Sequence, residues 1–135
     1  MAGYSGTPLV KKLGYKPGQR VFVDGAPNDY DQLVQPLPDD VTFVPRLAAK
    51  LDLIHVFTTD AQTLSSKLEK YLHKLVPNGT IWVSWPKKAS KVPTDISEDV
   101  VRTLALPLGL VDVKVCAVDD TWSGLKLVIR VENRP

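Results

Sequence analysis

The sequence predicts one α/β domain with a mostly parallel sheet closed by a C-terminal antiparallel hairpin. Residues 51–58 form a nearly continuous apolar and β-branched run, as expected of a strand covered on both faces. A helix-spaced series, Leu64, Leu68, Tyr71, Leu72 and Leu75, follows it and leads to a second strand-like run, 80–85. That strand, helix, strand unit has the length of a parallel crossover. Two last runs, 111–118 and 125–131, are separated only by the six residues Asp119 to Gly124, short enough for a hairpin.

The remaining elements follow in order. Residues 1–19 carry Lys11, Lys12 and Lys16 with no acidic residue and are broken by Gly and Pro, so they read as an irregular basic N-terminal arm with one helical turn near 9–13. The α/β domain then occupies 20–135. Residues 20–24 read as the first buried strand, 25–28 as a turn, 29–34 as a short helix stopped by Pro36 and Pro38, and 41–44 as a short strand closed by Pro45. Asp60 is the expected N-cap of the crossover helix, and Pro77-Asn78-Gly79 its end. A further helix is expected to open at Pro93-Thr94-Asp95, where Asp95 and Glu98 have capping-box spacing, and to end at Pro107 and Gly109.

Composition narrows the function classes. The chain has 135 residues, 44% hydrophobic and 24% charged, which suits a packed core. A net charge of +2 is too weak a field to argue for a nucleic-acid partner. Cys116 is the only cysteine, which excludes a disulfide scaffold; with no signal-peptide core and no apolar run long enough for a bilayer, a cytoplasmic protein without membrane contact is expected.

Two resemblances bear on these residues. The segment Leu51-Asp52-Leu53-Ile54, the leucine-rich helix and Leu75-Val76-Pro77-Asn78-Gly79-Thr80-Ile81-Trp82-Val83 are similar to the fourth strand, following helix and fifth strand of class I methyltransferases that use S-adenosylmethionine. This implies a Rossmann-like fold. The chain as a whole resembles a bacterial family of unassigned function marked by Gly3-Tyr4-Ser5-Gly6-Thr7-Pro8-Leu9, Trp82-Val83-Ser84-Trp85-Pro86-Lys87-Lys88 and Val118-Asp119-Asp120-Thr121-Trp122-Ser123-Gly124-Leu125-Lys126. The cofactor half departs from the methyltransferase pattern. After the first strand the loop reads Asp24-Gly25-Ala26-Pro27-Asn28, with one glycine where close approach to a cofactor needs several, and with a proline that removes a backbone donor. No carboxylate follows the second strand, which ends Val44-Pro45-Arg46. The identity of any cofactor is left open by this pattern.

Parallel α/β sheets bind ligands outside the carboxyl ends of their strands, which here gathers Asp24, Asn28, Thr58, Trp85, Lys87, Lys88, Lys91, Asp119 and Trp122. The densest cluster is residues 85–91, three lysines and an indole just before a helix. Such a site suits a small anionic ligand, with Trp85 stacking on a ring; the same residues also read as a solvated loop with Trp85 plugging the core. Asp119 and Asp120 are paired carboxylates or a self-bonded turn. His55 reads as a hydrogen-bonded core residue, His73 as a surface residue and Cys116 as a buried, inert thiol, and no metal-ligand spacing appears. The leading expectation is a Rossmann-like module that binds a small anion or a protein partner at this edge. The alternative is a divergent S-adenosylmethionine-dependent methyltransferase with an atypical loop.

Overall fold

The computed structural model describes residues 7–134. The first four residues of the Gly3–Leu9 motif lie outside them. The elements in chain order are α1 (Leu9–Lys12), β1 (Arg20–Asp24), α2 (Tyr30–Leu33), β2 (Thr42–Phe43), β3 (Leu51–Phe57), α3 (Ala61–Leu72), β4 (Leu75–Pro86), α4 (Glu98–Ala105), β5 (Leu110–Ala117) and β6 (Trp122–Ile129). The six strands form one sheet in the order β2-β1-β3-β4-β6-β5. The first four are parallel, and β6 runs antiparallel to both β4 and β5. The expected parallel sheet with an antiparallel closing hairpin is therefore present.

Strand alternation sends successive side chains to opposite faces and builds two cores. On one face Ile54, Val56, Ile81, Val83, Leu125 and Leu127 meet Leu64, Leu68 and Tyr71 of α3 and Val101 of α4. Each fully buried leucine there contributes about 1.5–3 kcal/mol from removal of its side chain from water. On the other face Val21, Leu53, Phe57 and Trp82 meet Val10 of α1 and Tyr30 of α2. Residues 7–19, read from the sequence as an arm, are tied to this face: Leu13 is fully buried, and Trp82 Nε1 donates to its carbonyl at 2.8 Å.

Several boundaries differ from expectation. Helix α3 stops at Leu72, and Leu75 already pairs with Leu51 of β3, so Pro77-Asn78-Gly79 lies in an irregularity of β4 and does not end the helix. Leu75 stands three residues after Leu72, so helical spacing cannot separate the two roles. Helix α4 begins at Glu98 with Ser97 as its cap, the Ser97 side chain accepting from Val100 N. Asp95 instead accepts from Ala61 N at 2.7 Å, across at the start of α3. Asp60 caps α3 as expected, accepting from Thr63 N at 2.7 Å. The last strand begins at Trp122, earlier than its apolar run suggests, and Val131 lies beyond its end. Among the described residues no helix is long and apolar enough to cross a membrane.

Candidate functional site

Among the described residues, the carboxyl ends of the parallel strands border two cavities. One, of about 410 Å³, lies between the end of β4 and the start of α4 and is bordered by Trp85, Lys88, Lys91, Ile96, Ser97 and Asp95, whose carboxylate is engaged by Ala61 N. The other, of about 350 Å³, lies over the ends of β1 and β2 among Val23, Ala26, Asn28, Tyr30, Phe43 and Pro45.

The first cavity is built by the sharp turn that follows β4. Residues 88–90 make one 3-10 turn, closed by Lys91 in the left-handed region at φ 61°. Ser90 Oγ fastens the turn by donating to Lys87 O at 2.6 Å and accepting from Val92 N. Lys88 and Lys91 are exposed, and among the described residues neither forms an ion pair. The floor is apolar, because Trp85 and Ile96 are buried at 7% and 5% exposure in the core between sheet and helices. Trp85 is packed in the core, the second of the two readings the sequence offered for it, and borders the cavity with what little of it is exposed.

Lys87, the third lysine of the cluster, has a structural engagement. Its Nζ donates to the Asp119 carbonyl at 2.6 Å, and its backbone N donates to Thr121 O at 2.8 Å, so it fastens the end of β4 to the β5–β6 turn. Asp119 in turn accepts from Thr121 N and Trp122 N through Oδ1, the self-bonded turn that the sequence offered as one of its two readings. Trp122 packs edge-on against Phe57 with ring centroids 5.1 Å apart. Lys87, Asp119 and Trp122 are therefore brought together as a clasp, away from the groups that border the cavity.

At the end of β1, Asp24 is also occupied. Lys67 Nζ lies 2.9 Å from its Oδ2, and the Tyr71 hydroxyl donates to the same oxygen. Burial pushes this carboxyl up, but the Tyr71 hydrogen bond and the Lys67 hydrogen bond and charge outweigh it and hold it below its ordinary value. Asp24 thus ties β1 to α3. Asn28 is exposed at the second cavity. Gly25 has φ 73°, and a Cβ there would meet Phe57 O at 2.6 Å, so the turn requires glycine. Thr58 continues the β3–β4 pairing through Thr58 N to Ser84 O at 3.1 Å, and its hydroxyl accepts from Asp60 N.

A buried polar chain runs from the core under α1 and α2 to β3 and β4. Tyr15 OH and Tyr30 OH are 2.7 Å apart, Tyr30 OH and His55 Nδ1 2.9 Å, and His55 Nε2 and Ser84 Oγ 2.7 Å. His55 is the hydrogen-bonded core residue expected from its place in the apolar run; its partners, distant in sequence, were not foreseen. Burial drives its imidazole down to about 3, so it is neutral. Ser84 beside a neutral histidine resembles a nucleophile and its base, but both residues have zero exposure, so no substrate reaches them. His73 is exposed as expected, and Cys116 is half-buried, with burial pushing its thiol up. Among the described residues no group of three potential metal ligands exists.

No protein-family model and no curated protein sequence matches the chain. Solved structures do. A SAM-dependent methyltransferase from Aquifex aeolicus superposes with a TM-score of 0.63 at 17% identity, over 90% of this chain and 88% of that one. Magnesium protoporphyrin IX methyltransferase from Synechocystis PCC 6803, with bound SAM, gives 0.58 at 10% identity over 90% and 74%. TrmN from Thermus thermophilus gives 0.54 at 14% identity over 90%, and there the chain spans about half of the other's length, 47%. At these identities the likeness is one of fold, and the chain is a single α/β domain of the methyltransferase-like, Rossmann-like kind.

Proposed function

We propose that this domain is a binding module, and that it takes a small anionic ligand in the cavity between the end of β4 and the start of α4. One observation carries the reading: Lys88 and Lys91 stand exposed and without an ion pair among the described residues, above an apolar floor of Trp85 and Ile96. Two ammonium groups beside a dry floor suit a ligand with a phosphate or carboxylate at one end and a flat or apolar body at the other. Lys87 contributes by holding the turn in place, not by contact.

A thermal-shift and calorimetry panel with inorganic phosphate, nucleotides, S-adenosylmethionine and its demethylated product tests this, because a ligand that binds the folded state raises the melting temperature. Binding of a phosphate-bearing compound that drops about tenfold or more in Lys88→Ala/Lys91→Ala supports the reading. Unchanged affinity in that variant defeats it.

A second reading rests on the cavity of about 350 Å³ over the carboxyl ends of β1 and β2. Its place at the sheet edge, on a fold shared with SAM-dependent methyltransferases, supports a divergent transferase using S-adenosylmethionine. Against it stand the single glycine and Pro27 of the loop, and a β2 of only two residues. Binding of the methyl donor that survives Lys88→Ala/Lys91→Ala but is lost in Ala26→Tyr, which fills this cavity, would move the function to the transferase.

A further inference from the structure

The antiparallel register of β5 and β6 sets Lys114 directly opposite Lys126. Like charges facing each other across a sheet are destabilising, so this pair invites an explanation. On its other side Lys126 pairs with Trp82, whose ring lies in the core under α1 and α2, so the two lysines share that face of the sheet. Helix α1 comes close to the hairpin on this face, since Cys116 of β5 packs in the same core as Val10 and Lys12 acts on its thiol. Helix α1 carries Lys11 and Lys12, and Lys16 in the loop after it borders with Lys126 a polar cavity of about 220 Å³. The ammonium groups share one field: burial lowers the Lys126 pKa, and Lys114 and Lys16 lower it further, while Lys12 and Lys114 both act on the Cys116 thiol.

Among the described residues none of these five lysines forms an ion pair. The carboxylate at the polar cavity, Asp52, accepts from Arg20 N at 2.8 Å and serves β1. Protection of an edge strand accounts for a lysine on β5, but β6 is an interior strand and Lys12 and Lys16 belong to no strand.

We propose that Lys12, Lys16, Lys114 and Lys126 form a surface for the phosphate backbone of a nucleic-acid strand. The partner must supply several negative charges along a flat face, as a phosphodiester chain does. A protein partner would need an apolar core to its interface; of the two exposed valines of β5, Val115 faces away, because its neighbour Leu125 belongs to the opposite core, and Val113 at the irregularity before Lys114 is a single side chain. Phe43, the exposed aromatic residue among the described ones, is on β2 at the far edge of the sheet. With no exposed aromatic side chain among the described residues beside the lysines, the contacts they offer are to the backbone and indifferent to base sequence.

Fluorescence anisotropy with a labelled single strand of about 20 nucleotides, titrated at several salt concentrations, tests the surface. Binding is expected in the micromolar range at low salt, and log affinity should fall with log salt by about 0.7 for each phosphate engaged. Lys114→Glu/Lys126→Glu, and independently Lys12→Ala/Lys16→Ala, should each reduce the slope by about 1.4, two phosphates' worth. Lys88→Ala/Lys91→Ala should leave it unchanged, which separates this surface from the anion cavity. The proposal is overturned by no binding at about 25 mM salt, by slopes unaltered in both double variants, or by tighter binding to anionic phospholipid vesicles or to polyglutamate than to the strand.

Discussion

Residues 20–45 and residues 51–129 belong to one sheet but differ in how they are built. The later segment supplies long elements: a 7-residue β3, a 12-residue α3, a 12-residue β4 and 8-residue β5 and β6. The earlier one supplies a 5-residue β1, a 4-residue α2 and a 2-residue β2. In Rossmann-like folds the loop after the first strand is the one that cradles a dinucleotide or similar cofactor. Here that loop is the glycine-poor one, and the carboxylate before it is spent on Lys67 and Tyr71. The contrast teaches that the likeness to methyltransferase structures is one of scaffold, and that Asp24 at the end of β1 is engaged in tying β1 to α3.

Core truncation should probe that contrast most strongly. Leu68→Ala, at a site with zero exposure between α3 and the sheet, should cost about 2–5 kcal/mol in urea unfolding, whereas Leu37→Ala in the half-buried stretch before β2 should cost under half as much. Equal losses would mean that the two regions are equally stable. Next in size is a pH effect that crosses both regions, since His55 joins Tyr30 of the early segment to Ser84 of the later one. The unfolded imidazole binds a proton near its ordinary 6.5, and the folded one only near 3. The stability it supports is complete above about pH 6.5 and is lost as pH falls, at up to about 1.4 kcal/mol per pH unit. His55→Gln should flatten the denaturation midpoints between about pH 4.5 and 6.5; an unchanged slope would mean that His55 does not control it.

Gly25→Ala should destabilise by about 1–3 kcal/mol, because φ 73° and the Phe57 carbonyl both exclude a methyl group; a neutral result would show the β1 loop to be loose. Lys87→Met should cost about 1 kcal/mol from the lost bond to Asp119 O, and Lys88→Met should stay within about 0.5 kcal/mol. If the two variants behave alike in thermal melts, the division of that cluster into clasp and binding group fails. The smallest effect is a gain: Lys126→Glu places opposite charges across the hairpin and should add about 0.2–1 kcal/mol, read as a rise in the urea midpoint that high salt abolishes.

Much of this molecule was legible in its residues. The apolar run of β3, the leucine spacing of α3 and the short polar break before β6 determine where strands and a helix form, because those patterns are properties of contiguous sequence. Asp60 as a cap, His55 as a core residue and the poverty of the cofactor loop follow from local chemistry in the same way. Side-chain occupancy does not. Lys87 and Lys88 are neighbours of the same type, and only the arrival of the β5–β6 turn beside β4 binds one and leaves the other exposed. Trp85 could face a ligand or the core, and α3 and α4 packing against the sheet assign it to the core. The pairing of Lys114 with Lys126 and their approach to Lys16 join residues up to 110 positions apart, through strand register and a loop laid beside the sheet. Short-range patterning set the elements; which charges remain unpaired was decided by tertiary contacts, because a lysine's partner is whatever the fold brings within a few ångströms of it.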